Sequence, residues 1–146
     1  MKVYRASSEK RPAGIVTGPT VTLYRRDIKE RTTTGEDGSE SPYYTYTEIR
    51  FEDGEYEGVR AGILPAGVSE WTEDLRRIER SAYLDEADRF INEANDHISL
   101  EKESSLVTAW TAYRTAVRQY KQAVRDTADA EGFPVRVTYP DLPVQP

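Results

Sequence analysis

Three observations predict an α+β fold. Two early runs, TVTLYRRDI (Thr20 to Ile28) and YYTYTEIRF (Tyr43 to Phe51), concentrate the β-branched and aromatic residues that suit a pleated, half-buried surface. The later sequence repeats apolar residues at intervals of three and four, the period of an amphipathic helix. The last stretch is interrupted by Pro134, Pro140 and Pro143, which no helix interior tolerates. The predicted architecture is an N-terminal antiparallel β-hairpin or small sheet (1–67), an antiparallel helical hairpin (68–130) and an extended Pro-rich C-terminal segment (131–146).

Between the two β runs lies KERTTTGEDGSESP, polar and glycine-containing, which predicts a long mobile loop near 29–42. Side chains alternate across a strand, so Tyr43, Thr45, Thr47, Ile49 and Phe51 share one face, and Tyr44, Tyr46 and Glu48 the other. Asp53-Gly54 is a tight-turn signal, and EYEGVRAGIL after it reads as a third short strand.

Helical signals start at Ser69, a candidate N-cap with Glu70, Glu73 and Asp74 behind it. Trp71, Leu75, Ile78 and Ala82 form one apolar series, and Leu84, Ala87, Ile91, Ala94 and Ile98 a second. The two are offset by two residues, which predicts a kink, a break or a helix buried on two sides near Arg80 to Leu84. The last helix, capped at Ser99 or Ser104, carries Leu106, Trp110, Tyr113, Val117, Tyr120 and Val124 at spacings of four, three, four, three and four. Folding the chain across residues 98–105 sets Ala94 near Trp110, Ile91 near Tyr113 and Ala87 near Val117, small residues against large ones. The same fold brings Asp88 towards Arg114 or Arg118; exposed pairs of that kind contribute about 0 to 1 kcal/mol each.

Composition narrows the function. The net charge is -6 over 146 residues, so bulk electrostatics predicts neither a nucleic-acid partner nor an anionic membrane. The charge is uneven: residues 1–31 hold eight Lys or Arg against three acids (+5), and residues 32–100 hold six against seventeen (-11). No apolar run approaches the roughly 20 residues of a membrane span, and MKVYRASSEK lacks the apolar core of a secretory leader. Cysteine is absent, which excludes a disulfide framework and a thiolate nucleophile. His97, the single histidine, reads as a solvated or capping residue near a helix end and rules out a site built on two imidazoles. Neither GxGxxG nor a Walker pattern occurs, and no acidic cluster has EF-hand spacing, so we expect no enzyme, no cofactor and no metal.

Two segments carry a resemblance. YKQAVRD (Tyr120 to Asp126), followed by GFPVRVTYPDLP (Gly132 to Pro143), resembles the C-terminal signature of bacteriophage tail fibre assembly and related tail-associated proteins. In that signature a Tyr-Arg-x-x-Leu-Arg-Asp helix end precedes Phe-Pro and a Trp-Pro-x-x-Pro ending. Here Tyr120, Val124, Arg125 and Asp126 take the helix positions, Phe133 and Pro134 the break, and Tyr139, Pro140 and Pro143 the ending. Upstream, RSAYLDEADRF (Arg80 to Phe90) is similar to an arginine-led Leu-x-x-x-Asp segment of the family, with Leu84 and Asp88 in place. Lys121 stands for arginine, Val124 for leucine and Tyr139 for tryptophan, and AYRTAVRQ (Ala112 to Gln119) lengthens the helix. Residues 1–67 show no such match.

The resemblance implies a chaperone-like protein that binds a tail fibre, or a neighbouring tail protein, and assists its folding or attachment. The alternative is a structural virion component bound to fibre, baseplate or tail. Its place would be the host cytoplasm during assembly, with retention in the virion tail under the alternative. The expected partner-binding residues are Tyr113, Tyr120, Arg125, Asp126, Phe133, Pro134, Tyr139 and Pro140. A homo-oligomer is compatible with the heptad-like spacing.

Overall fold

The computed structural model describes residues 1–146 and has an α+β fold in two compact units. The first comprises Met1–Gly58 with Pro65–Gly67, and the second Val59–Leu64 with Val68–Pro146.

The first unit is a four-stranded antiparallel sheet. Its strands are β1 (Lys2–Ser8), β2 (Ile15–Thr17), β3 (Thr22–Thr34) and β4 (Glu40–Phe51), in the order β1-β4-β3-β2. The central pair contains the two anticipated runs, whereas β1 and β2 are additions at the edges. Ile49 and Phe51, which share a face of β4 as alternation predicts, are fully buried, and Phe51 meets Tyr56 edge-on at 5.6 Å.

Most of the long loop expected at 29–42 is ladder instead. Pairing continues to Thr34↔Glu40, and Gly35–Ser39 closes the hairpin. Gly38 takes φ +80, and the Asp37 carboxylate accepts from the amide (3.0 Å) and hydroxyl (2.5 Å) of Ser39. A tip that satisfies its own polar groups needs no core to order it, and Thr32 to Thr34 supply β-branched residues up to the turn.

The third strand expected after Gly54 is a helix, α1 (Glu55–Arg60). Gly54 turns the chain at φ +73, the Glu55 carboxylate accepts from the Glu52 amide at 2.7 Å, and Gly58 N–H donates to the Gly54 carbonyl. Tyr56 and Val59, three apart, are both buried, a helical rather than a strand spacing.

In the second unit, α2 (Glu73–Leu100) runs 28 residues without a break. Thr72, not Ser69, is its N-cap: the Thr72 hydroxyl accepts from Leu75 N at 3.3 Å, leaving Trp71 outside the helix. Both apolar series are used, since Leu75, Ile78, Ala87 and Ala94 are all buried. After a short connection at Glu101 to Glu103 comes α3 (Ser104–Asp126), whose N-cap, Glu103, makes no side-chain bond. Trp110, Tyr113, Val117, Tyr120 and Val124 of α3 form one buried cluster with Ala87 and Ala94 of α2. Leu106, the first residue of the stripe, stays 39% exposed at the helix start.

Cross-helix contacts run in opposite chain directions: His97 stacks on Trp110, Arg114 donates to Asn95 at 2.7 Å, and Lys121 bonds Asp88. The helices are therefore antiparallel. Asp88 meets Lys121 rather than Arg114 or Arg118. His97 is exposed as expected, but its ring covers Trp110 at 3.8 Å with 3° between the planes. No helix is long and apolar enough to cross a membrane.

Candidate functional site

The C-terminal segment meets α2 at a cluster of polar groups, which is the most specific arrangement in the second unit. Helix α3 ends in a 3-10 turn at Thr127–Asp129, where the Thr127 hydroxyl donates to the Val124 carbonyl at 2.7 Å. Gly132 then adopts φ +90, the Phe133-Pro134 peptide is cis, and no helix or strand follows.

Arg76, on the first turn of α2, organises what comes next. Its Nε donates to the Pro134 carbonyl at 2.8 Å, one terminal nitrogen to the Val135 carbonyl at 3.0 Å, and the other to Glu79 at 2.8 Å. Below these bonds the guanidinium lies over the Trp71 ring, 4.1 Å from its centre. Arg76 and Glu79 are only 7% and 5% exposed, so each has given up water for these partners. Such a charged pair persists in the interior only when its remaining donors and acceptors are satisfied. Two backbone carbonyls and one hydroxyl supply what is needed.

The hydroxyl belongs to Tyr139, which donates to Glu79 Oε1 at 2.5 Å, while its ring stacks on Tyr83 at 4.0 Å and 17°. Burial, and then the bond to Glu79, push the Tyr139 hydroxyl well above the ordinary tyrosine range. The Tyr83 hydroxyl is raised for the same first reason, with Glu79 adding to it. Gly62 approaches from the other side: it takes φ +87, and a Cβ there would sit 3.3 Å from Glu79 Oε2.

The expected partner-binding residues do not share one surface. Tyr113 (4% exposed) and Tyr120 (7%) were expected on a docking face but are packed in the hairpin core. The stripe that places them there is the same one that pairs α3 with α2. Arg125 and Asp126 are exposed at the end of α3, with Asp126 accepting from Gln122 at 2.9 Å. Phe133, Pro134, Tyr139 and Pro140 are half-buried, and Tyr139 and Leu142 pack against the hairpin cluster.

Arg76, Glu79 and Tyr83 complete this arrangement without having been singled out in the sequence, and Trp71 was read only as the first residue of a helical apolar series. Arg76 and Glu79 do stand at i and i+3, a spacing common on any exposed helix face. No group of three or more His, Asp or Glu is gathered as metal ligands would be. The cluster binds two peptide carbonyls and a phenol of this chain's own C-terminal segment, which fixes that segment on α2. No protein-family model matches the chain, and comparison with curated proteins and with solved structures finds no match.

Proposed function

We propose that this chain is a bacteriophage tail fibre assembly protein or a related tail-associated chaperone, which binds a fibre and assists its folding or attachment by contact rather than catalysis. One observation supports this reading above the others: the segments that carry the resemblance touch one another. Tyr139 of the ending stacks on Tyr83 of the Arg80 to Phe90 segment, and Asp88 of that segment bonds Lys121, which stands where the family has arginine.

The polar cluster also gives the binding a physical form. Arg76 grips the backbone at Pro134 and Val135, leaving the Val135 side chain 50% exposed, and Val144 beyond is 92% exposed. A fixed backbone such as that at Val135, which displays an apolar side chain, can cover apolar surface on a partner with little further loss of conformational freedom. Arg125 and Asp126 lie exposed at the end of α3 and would supply the polar part of the contact.

The test is co-expression of the fibre with and without this protein, together with mass spectrometry of purified particles. Fibre that trimerises only in its presence, with the protein missing from particles, is the chaperone outcome. A fixed ratio to fibre near a small integer would make it a structural virion component. Fibre that folds equally well alone, with no association between the two, would overturn the reading.

A further inference from the structure

The second feature built for recognition lies in the first unit, on the face of the sheet that carries Thr45 and Thr47. Residues directly opposite each other across a ladder point to the same side, so Arg5 and Arg26 flank Thr47, and Ser7 and Lys29 flank Thr45. Arg31 faces Tyr43 one step further out. That set exists because of a bulge. Between Arg26 and Lys29, β3 has one residue more than β4, and Asp27 holds φ +52 there. Strict alternation would put Ile28 and Glu30 on Arg26's face; the extra residue puts Lys29 and Arg31 there instead. Asp27 spends its own carboxylate on Arg26.

The outcome is an open cleft of about 500 Å³ in which the exposed cations Arg5, Lys29 and Arg31 surround the hydroxyls of Ser7, Thr45 and Thr47. At the far end of the same hairpin, the exposed turn carries Glu36 and Asp37. Cations at the base thus match carboxylates at the tip. Lys29 stands five residue steps from Thr34, about 17 Å of ladder, so it does not meet the tip of its own hairpin. Beyond Tyr44 neither β1 nor β2 reaches the hairpin, so the outer part projects as a two-stranded ribbon.

We infer that the basic cleft receives the acidic hairpin tip of a second copy of this chain, in a two-fold dimer whose ribbons lie antiparallel and make the contact twice. Such an interface is self-complementary, as a two-fold axis requires. It is independent of the tail-fibre reading, because it uses residues of the first unit alone.

The test is sedimentation velocity at low and high salt on the full chain and two charge-reversed variants. One carries Lys29→Glu and Arg31→Glu; the other carries Glu36→Lys and Asp37→Lys. All four side chains are exposed, and circular dichroism verifies that each variant is folded. The wild-type dimer should weaken as salt rises, and each variant alone should bind itself at least about tenfold more weakly. Mixed together, the variants regain association, because each now offers the charge that the other lacks. A wild type that stays monomeric at low salt, a dimer indifferent to both reversals, or a mixture that fails to recover would each overturn the assignment.

Discussion

Replacing Tyr139 with phenylalanine removes one oxygen and leaves the ring on Tyr83. The bond lost is charge-assisted, at 2.5 Å from Glu79, and bonds of that class contribute about 1.5 to 3 kcal/mol. Glu79 keeps Arg76 at 2.8 Å, so its carboxylate is not stranded, and the lower part of the range applies: about 1.5 to 2 kcal/mol. In a chain of this length that corresponds to a fall in melting temperature of about 3 to 8 °C. Tyr139→Ala also discards the stack and the half-buried ring, so its loss should be larger, about 3 to 4 kcal/mol. Urea unfolding followed by tryptophan fluorescence measures both, since Trp71 and Trp110 are in the same unit.

Alkaline pH gives an independent reading of the same bond. The folded Tyr139 hydroxyl has a pKa raised above the unfolded value of 10.0, so the unfolded chain loses this proton first. Its contribution to stability is therefore complete below pH 10 and declines as pH rises from there. Tyr83 and Tyr120 shift in the same direction, so Tyr139→Phe should keep a residual slope, shallower than the wild type's. A Phe variant within about 0.5 kcal/mol of wild type, with an unchanged alkaline slope, would refute the reasoning.

Other substitutions probe the neighbouring parts. Arg76→Met leaves Glu79 buried and releases the Pro134 and Val135 carbonyls, so stability should fall by about 3 to 5 kcal/mol in urea, with earlier proteolytic cleavage near Val135. Gly62→Ala meets both a left-handed backbone and Glu79 Oε2 at 3.3 Å, and should lower the urea midpoint by about 1 to 2 kcal/mol worth of stability. Trp110→Ala, in the α2–α3 core, should cost about 3 to 5 kcal/mol, whereas Leu100→Ser, at a position 79% exposed, should stay within about 0.5 kcal/mol by the same assay.

Helix α3 was the most legible element because a single period governs it: five apolar residues at alternating steps of four and three are all buried. The paired runs of β3 and β4 were legible for a similar reason, since Ile49 and Phe51 sit on the face that alternation assigns them. Legibility failed where a segment draws its structure from a partner. Strand β1 shows mostly exposed side chains and owes its conformation to seven paired positions on β4. The six residues of α1 are too few for either period to declare itself, and the turn geometry at Gly54 decides between them. The bulge at Asp27 was invisible to a rule of strict alternation, and with it the face on which Lys29 and Arg31 stand.

The polar cluster was half legible, and the division has a physical cause. Prolines on both sides of Tyr139 excluded a helix there, a property readable over a few residues. What it would contact could not be read, because Arg76 and Glu79 spell an ordinary helix-surface pair until a segment 58 residues away covers them. Burial of the pair is thus a consequence of the fold, and its energetic yield is small beside its geometric one. Two carbonyls, one carboxylate and one hydroxyl must coincide for every bond to form, so the arrangement admits few alternative positions for the segment. Whatever contacts Val135 therefore meets a surface whose placement is set by Arg76, a residue that such a partner need not touch.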